Sequence, residues 1–385
     1  MYVKDTPPGF LSQYLPSRSF MIAASLVCGL DKKNGSTSVE PFLFACAAQD
    51  MRRAAERKAA QGRFFLTEAG GVGILTEKER KDWPMVQMNF APEERLQAHR
   101  EASALPLSIR NARELGGIRL KDGRRVRRGL LLRTGQLFDA SEEDLRRLRE
   151  DYGLSLILDM RDEGELRRTP DPEIPGAKWV HTPIIDFEFM KQSIAARLQG
   201  HREPPPEVAP GRYDMETTLD RMIWMGRQSL RQGAADPGLG TAYASYLECA
   251  LGREKLGLFF HELAANDRGA TLWHCFTGKD RTGIAAGLIL EVLGADWETI
   301  AEDYETSNLY YTREVAELEQ LLRQKGAEEE LIAPICGFAG VYRPMLAAAW
   351  DYMNRVWGGA VGYLTGACGV TEAELDAIRR RYIED

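Results

Sequence analysis

Ala270-Thr271-Leu272-Trp273-His274-Cys275-Phe276-Thr277-Gly278-Lys279-Asp280-Arg281-Thr282-Gly283 reads as a strand running into a tight loop and then a helix, continued by the apolar stretch Ile284 to Leu293. Gly278 lets the backbone between Cys275 and Arg281 curl, so that successive N–H groups converge on one concavity that can hold a dianionic oxyanion. The helix N-terminus adds partial positive charge, and the planar fork of Arg281 can take two oxygens. The same field favours a thiolate at Cys275, which makes this cysteine the expected nucleophile toward phosphorus. Phe276, Thr277, Gly278, Lys279, Asp280 and Arg281 form the expected phosphate cradle. His274 is expected to brace the loop through its ring nitrogens, and Thr282 to donate a hydrogen bond to the sulfur as it leaves. Departure of an alkoxide or phenoxide needs a proton, so a carboxylic acid must face the loop. Asp280, within it, and Asp186, in the turn Pro183-Ile184-Ile185-Asp186, are the two candidates.

Outward from this loop, short apolar runs alternate with helical stretches from Leu105 onward, the pattern of an α/β layer structure with a central sheet flanked by helices. The expected strands are Leu130 to Arg133, Ser155 to Asp159, Trp179 to Thr182 and Ala270 to Trp273. Apolar residues return every three or four positions from Ala242 to Ala265, Thr282 to Leu293 and Glu314 to Lys325, which predicts three helices. A last helix is predicted to start at Thr371, with Glu374 completing a capping box. Residues 187–240 are polar, carry Pro204-Pro205-Pro206, and read as an insertion or lid with helical character only around Thr217 to Leu230. Residues 1–100 hold no motif tied to chemistry and read as an extension or small accessory domain ahead of a domain at 101–385. A helix is expected there over Val39 to Gln61 and a hairpin over Arg63 to Thr76.

A formal net charge of −7 lacks the excess of basic residues a general nucleic-acid binder needs, so any anion site must be local. Six cysteines without paired spacing suggest neither a disulfide framework nor a zinc site, and favour a reducing, cytoplasmic setting, with secretion as the alternative. The apolar stretch Phe20 to Leu30 is too short to span a bilayer, so no stable membrane insertion is expected, and it lacks an Ala-x-Ala cleavage site. Cys249 and Cys336 read as packed small hydrophobes. The basic run Arg119 to Arg128 reads as a solvated hairpin. Arg113, Arg133 and Arg161 either organise the site or make structural ion pairs, with Asp159 and Glu165 as possible partners.

His274-Cys275-x5-Arg281-Thr282-Gly283 resembles the signature of the protein tyrosine and dual-specificity phosphatase superfamily. With Lys279-Asp280, Asn111-Ala112-Arg113-Glu114-Leu115-Gly116-Gly117, Leu132-Arg133-Thr134, Leu158-Asp159-Met160-Arg161 and Asp303-Tyr304, the chain resembles its bacterial and fungal tyrosine-phosphatase group from about residue 105 to the end. The resemblance implies a protein tyrosine phosphatase-like fold and a phosphocysteine intermediate. It implies activity on phosphotyrosine, extending to phosphoserine or phosphothreonine and to phosphoinositides, with Lys279 favouring highly charged head groups. No metal or cofactor is implied. It places Asp186 near the mobile loop that supplies the superfamily's acid and ranks Asp280 narrowly ahead. Ala112-Arg113-Glu114, Thr134 and Met160 depart from the commoner family text, which puts substrate preference in doubt more than reaction type. A phosphate-binding scaffold without turnover and an inositol-polyphosphate phosphatase are the alternatives.

Overall fold

The computed structural model describes residues 91–197, 219–224, 226–227 and 239–384. The expected helix at Val39 to Gln61, the hairpin at Arg63 to Thr76, the apolar stretch Phe20 to Leu30 and the proline run at 204–206 lie outside the described residues.

Among the described residues five strands build one sheet: β1 (Arg113–Glu114), β2 (Leu131–Thr134), β3 (Leu156–Asp159), β4 (Lys178–His181) and β5 (Thr271–His274), in the order β1-β2-β5-β3-β4. β1 is antiparallel to β2, and all other pairs are parallel. The four expected strands appear within one residue of their predicted bounds. The two-residue β1 lacked the length to show as a pattern. Side chains alternate across the sheet as the pleat requires. Leu131, Leu156, Leu158 and Trp273 face the larger core, while Leu132, Ile157 and Leu272 face a smaller one with Leu105, Ile109 and Leu148. With both faces covered, β5 is buried along its whole length, and Cys275 follows its carboxyl end in the middle of the sheet. Ligands of open parallel sheets bind at this edge.

Thirteen α-helices are assigned among the described residues, in chain order: α1 (Glu93–Ser103), α2 (Glu142–Glu150), α3 (Glu163–Arg168), α4 (Phe187–Arg197), α5 (Leu239–Glu248), α6 (Ala250–Ala265), α7 (Asp280–Leu293), α8 (Trp297–Thr306), α9 (Thr312–Gln324), α10 (Glu329–Cys336), α11 (Arg343–Trp357), α12 (Ala360–Gly366) and α13 (Glu372–Tyr382). α13 starts at the predicted capping box, where Thr371 and Glu374 exchange side-chain bonds to each other's N–H groups. The single helix expected over Ala242 to Ala265 is corrected to α5 and α6, broken at Cys249. Cys249 takes an extended backbone and caps α6 by accepting the Gly252 N–H. At Gly252 a Cβ would fall 1.7 Å from the Tyr246 carbonyl oxygen, so the chain doubles back where only glycine fits. The insertion is also more helical than expected, because it opens with α4. Residues 219–224 and 226–227 are helical too, and Leu219, Met222 and Ile223 pack against Leu318 and Leu322 of α9 and Leu331 and Ile335 of α10. α1 straddles the expected boundary near residue 100 and is fastened to α8, with His99 Nε2 3.5 Å from Asp303 and Arg95 paired with Glu302. No helix among the described residues is long and apolar enough to cross a membrane.

Candidate active site

α7 begins at Asp280, inside the loop and two residues before the predicted start, so the N–H groups of its first turn belong to the loop. Gly278 has φ +71°, and a Cβ there would lie 2.3 Å from the Thr134 carbonyl oxygen, so the loop presses directly on the end of β2. Each loop carbonyl is tied backward. The Phe276 oxygen accepts from Gln136 N–H at 3.1 Å, the Thr277 oxygen from the Tyr311 hydroxyl at 2.5 Å, and the Gly278 oxygen from Asn111 Nδ2 at 2.7 Å and Arg133 Nη2 at 2.9 Å. These bonds fix the backbone of Phe276, Thr277 and Gly278 against their neighbours. Tyr311 is fully buried, and its hydroxyl fixes the loop.

The arginines singled out in the sequence stand behind this cradle. Arg113 Nε is 3.2 Å from Asp303 Oδ1, and Arg133 Nη1 pairs with Asp303 Oδ2, all three side chains being buried. Burial alone would raise the Asp303 carboxyl, but Arg133 and Arg113 overcome it and hold the group far below the carboxylate range. Burial, reinforced by the charge of Arg113, brings Arg133 down to about 10. These residues make an ion cluster that carries the Gly278 carbonyl.

Arg281 is buried against Glu165 of α3. Its Nη1 donates to Glu165 Oε2 at 2.6 Å and to the Met160 carbonyl at 3.1 Å, and its Nη2 donates to Glu165 Oε1 at 2.9 Å. Those bonds leave the Nε–H and the second Nη2 hydrogen, which share one edge of the planar group and form a fork for two oxygens. Burial would raise the Glu165 carboxyl, yet Arg281 beside it holds it below the ordinary glutamate value. Glu165 is presented by a capping box in which Asp162 accepts the Gly164 and Glu165 N–H groups. The sequence offered Glu165 as a partner of Arg113, Arg133 or Arg161; the structure corrects this to Arg281, a contact between distant segments that no local signal shows.

Cys275 is fully buried. The Thr282 Oγ1 is buried and has no hydrogen-bond partner among the described residues, while its carbonyl accepts from Trp273 Nε1 at 3.1 Å. An unpaired buried hydroxyl at the position expected to serve the sulfur is a group awaiting a partner. His274 lies with Nδ1 3.3 Å from the Cys275 carbonyl and Nε2 3.0 Å from Asp171. Burial pushes its pKa down, but Asp159 and Asp171 more than compensate and hold it above the ordinary histidine value. Asp159, Asp171 and His274 have ligand atoms close enough to hold a metal. Arg161, however, sits 2.7 Å from both carboxylates and supplies the positive charge they would offer one.

The two acid candidates occupy different settings. Asp280 is part-exposed in the loop, with Oδ1 accepting the Tyr243 hydroxyl at 2.6 Å. Asp186 accepts the Phe189 N–H at 3.0 Å and the Met190 N–H on its carbonyl, which caps α4. Lys279 is directed into the protein. Its ammonium donates to the carbonyls of Phe338 at 2.5 Å, Ala339 at 3.0 Å and Gly340 at 2.6 Å, and burial lowers its pKa against the opposing influence of Asp280 and Cys275. Its side chain therefore does not reach outward to a head group, and only its backbone remains available to the cradle. Cys249, Cys336 and Cys368 are buried free thiols that burial raises, the last two to about 12, in keeping with packing roles.

A loop of this shape at the carboxyl edge of such a sheet defines a phosphatase with a protein tyrosine phosphatase-like fold. The match is specific: the tyrosine phosphatase family aligns with residues 106–384, and the chain belongs to that family. A predicted tyrosine-protein phosphatase of Cupriavidus necator is 28% identical over 270 residues, covering 70% of this chain and 85% of the relative. The triple specificity protein phosphatase PtpB of Mycobacterium tuberculosis is 26% identical over 273 residues, covering 66% and 91%. A tyrosine-protein phosphatase of Nostoc commune is 33% identical over 145 residues, covering 37% and 48%.

Proposed function

We propose that the enzyme hydrolyses phosphomonoesters on proteins, phosphotyrosine first, through a phosphocysteine on Cys275. The carrying observation is the bidentate Glu165 clamp, which leaves Arg281 one free edge beside the buried Cys275. In the first step Cys275 Sγ attacks phosphorus as a thiolate, and the S–P bond forms while the bond to the leaving oxygen breaks. The free edge of Arg281 and the loop N–H groups hold the remaining oxygens, and Asp280 gives its proton to the leaving oxygen. In the second step water attacks phosphorus, Asp280 takes the proton, and the S–P bond breaks with Thr282 donating to the departing sulfur. Asp280 is preferred to Asp186 because Asp186 is already used as a helix cap.

The mycobacterial relative's name, with its triple specificity, supports a range wider than one phosphoamino acid. The inward course of Lys279 weighs against a head-group preference built on that side chain. The test is acid-quench trapping of a phosphoenzyme from labelled p-nitrophenyl phosphate, with a panel of phosphotyrosine, phosphoserine and phosphothreonine peptides and phosphoinositides. Wild type should form the adduct and Cys275→Ser should form none. Full turnover by Cys275→Ser would refute the mechanism, and a phosphoinositide rate above every peptide would refute the substrate assignment.

A further inference from the structure

Asp280 is joined to two buried tyrosines from separate helices. Tyr243 on α5 donates its hydroxyl to Asp280 Oδ1 at 2.6 Å, and its oxygen lies 2.8 Å from the hydroxyl of Tyr304 on α8. Both residues are about 1% exposed, so each hydroxyl must be satisfied within the protein. Counting hydrogens sets the direction of the chain. A carboxylate oxygen only accepts, so the Tyr243 hydrogen goes to Asp280, and the Tyr243 oxygen accepts the hydrogen of Tyr304. Burial first, and then the charge of Asp280, hold both phenols well above the ordinary tyrosine value, so both keep their hydrogens at neutral pH.

The arrangement accounts for two motif residues that the phosphate chemistry leaves without a task. Tyr304 follows Asp303 in the sequence, so one turn of α8 braces the Gly278 carbonyl through the arginines and also reaches Asp280 through Tyr243. A Cβ at Gly283 would lie 2.8 Å from the Tyr304 ring, so this glycine makes room for the tyrosine. The connection between α10 and α11 holds the neighbouring Lys279, whose ammonium donates to carbonyls 338–340. With Oδ1 always accepting from Tyr243, the transferable proton must sit on Oδ2, which is 3.9 Å from Lys279 Nζ.

We propose that Tyr243 and Tyr304 are positioning residues that hold the Asp280 carboxyl so that Oδ2 alone exchanges the proton with the leaving-group oxygen. The proposal rests on Asp280 being the general acid. Protonation matters most for poor leaving groups, so the signature is a change in leaving-group dependence, which a merely structural defect would not produce. Wild type, Tyr243→Phe, Tyr304→Phe, Asp280→Asn and the Tyr243→Phe/Asp280→Asn double variant are compared on p-nitrophenyl and phenyl phosphate, with rates expressed per vanadate-binding site so that misfolded protein does not count.

Asp280→Asn should slow kcat on phenyl phosphate by roughly 10²-fold, the lower range for general acid catalysis, and p-nitrophenyl phosphate much less. Tyr243→Phe should slow phenyl phosphate by about 10-fold with KM unchanged, as expected for partial misplacement of that acid, and should add nothing in the Asp280→Asn background. Tyr304→Phe, which breaks the chain one link earlier, should show the same pattern more weakly. Equal losses on both substrates, or a Tyr243→Phe effect that multiplies with Asp280→Asn, would overturn the proposal while leaving the acid in place. If Asp280→Asn leaves the leaving-group dependence unchanged, the acid assignment itself fails and the proposal with it.

Discussion

Replacing Glu165 by Gln keeps the size of the side chain and one acceptor but removes the charge that neutralises Arg281. The two groups meet through two bonds at 2.6 and 2.9 Å, with side-chain exposures of 0% and 4%, so solvent does little to screen them. Breaking one side of a buried pair leaves an uncompensated charge and costs about 3–5 kcal/mol of stability. The guanidinium would also lose the clamp that reserves its Nε–Nη2 edge for phosphate. A displacement of about 1 Å in a positioning group lowers kcat/KM by on the order of 10²-fold. Urea denaturation reads the first effect, and steady-state hydrolysis of p-nitrophenyl phosphate with vanadate binding reads the second. The pH dependence carries a sign. Because Arg281 depresses the Glu165 carboxyl, its stabilisation is present above the unfolded value of about 4.3 and is lost as pH falls through the lower folded value. The stability gap between wild type and Glu165→Gln should therefore narrow below about pH 4. A variant within about threefold of wild-type kcat/KM, with unchanged stability at neutral pH, would refute the account of Arg281, since that change is below about 1 kcal/mol.

Other substitutions probe the supports of the loop. Gly278→Ala must take up a left-handed conformation against the Thr134 carbonyl; it should cost about 1–3 kcal/mol in denaturation experiments and lower kcat, and a fully active, equally stable variant would contradict the close approach. Asp303→Asn leaves two buried arginines short of a counter-charge and should lose about 3–5 kcal/mol, measured by urea unfolding; a loss under about 1 kcal/mol would mean that the cluster is not a brace. Asp159 and Asp171 raise His274, so its stabilisation is fully present below about pH 6.5 and disappears as pH rises through the elevated folded value. Asp171→Asn should move the His274 imidazole titration, followed by NMR, to lower pH, and no movement would show that the 3.0 Å contact has little electrostatic weight.

The reaction-bearing loop was legible because its parts are neighbours in the chain. Strand periodicity up to His274, a glycine in the turn and the apolar helix after Arg281 are local signals, and together they place a tight loop between strand and helix. The capping box at Thr371 and the bounds of β2 to β5 were readable for the same reason. Legibility failed where a distant contact overrides local preference. The periodicity from Ala242 to Ala265 is continuous, yet the chain breaks at Cys249 where Gly252 closes on Tyr246.

By itself, then, the sequence determined the layer class and singled out Cys275, Arg281 and two acid candidates, because each rests on spacing within a few residues. Only the tertiary structure decided that Glu165 clamps Arg281, that Asp303 gathers Arg113 and Arg133, and that Tyr311 ties back the loop. It also turned Lys279 inward to carbonyls about sixty positions away and gave Asp280, rather than Asp186, a hydroxyl partner. Burial supplies the physical reason. A buried charge or hydroxyl must find a partner wherever packing provides one, and packing brings together residues whose separation in the chain carries no sign of their meeting.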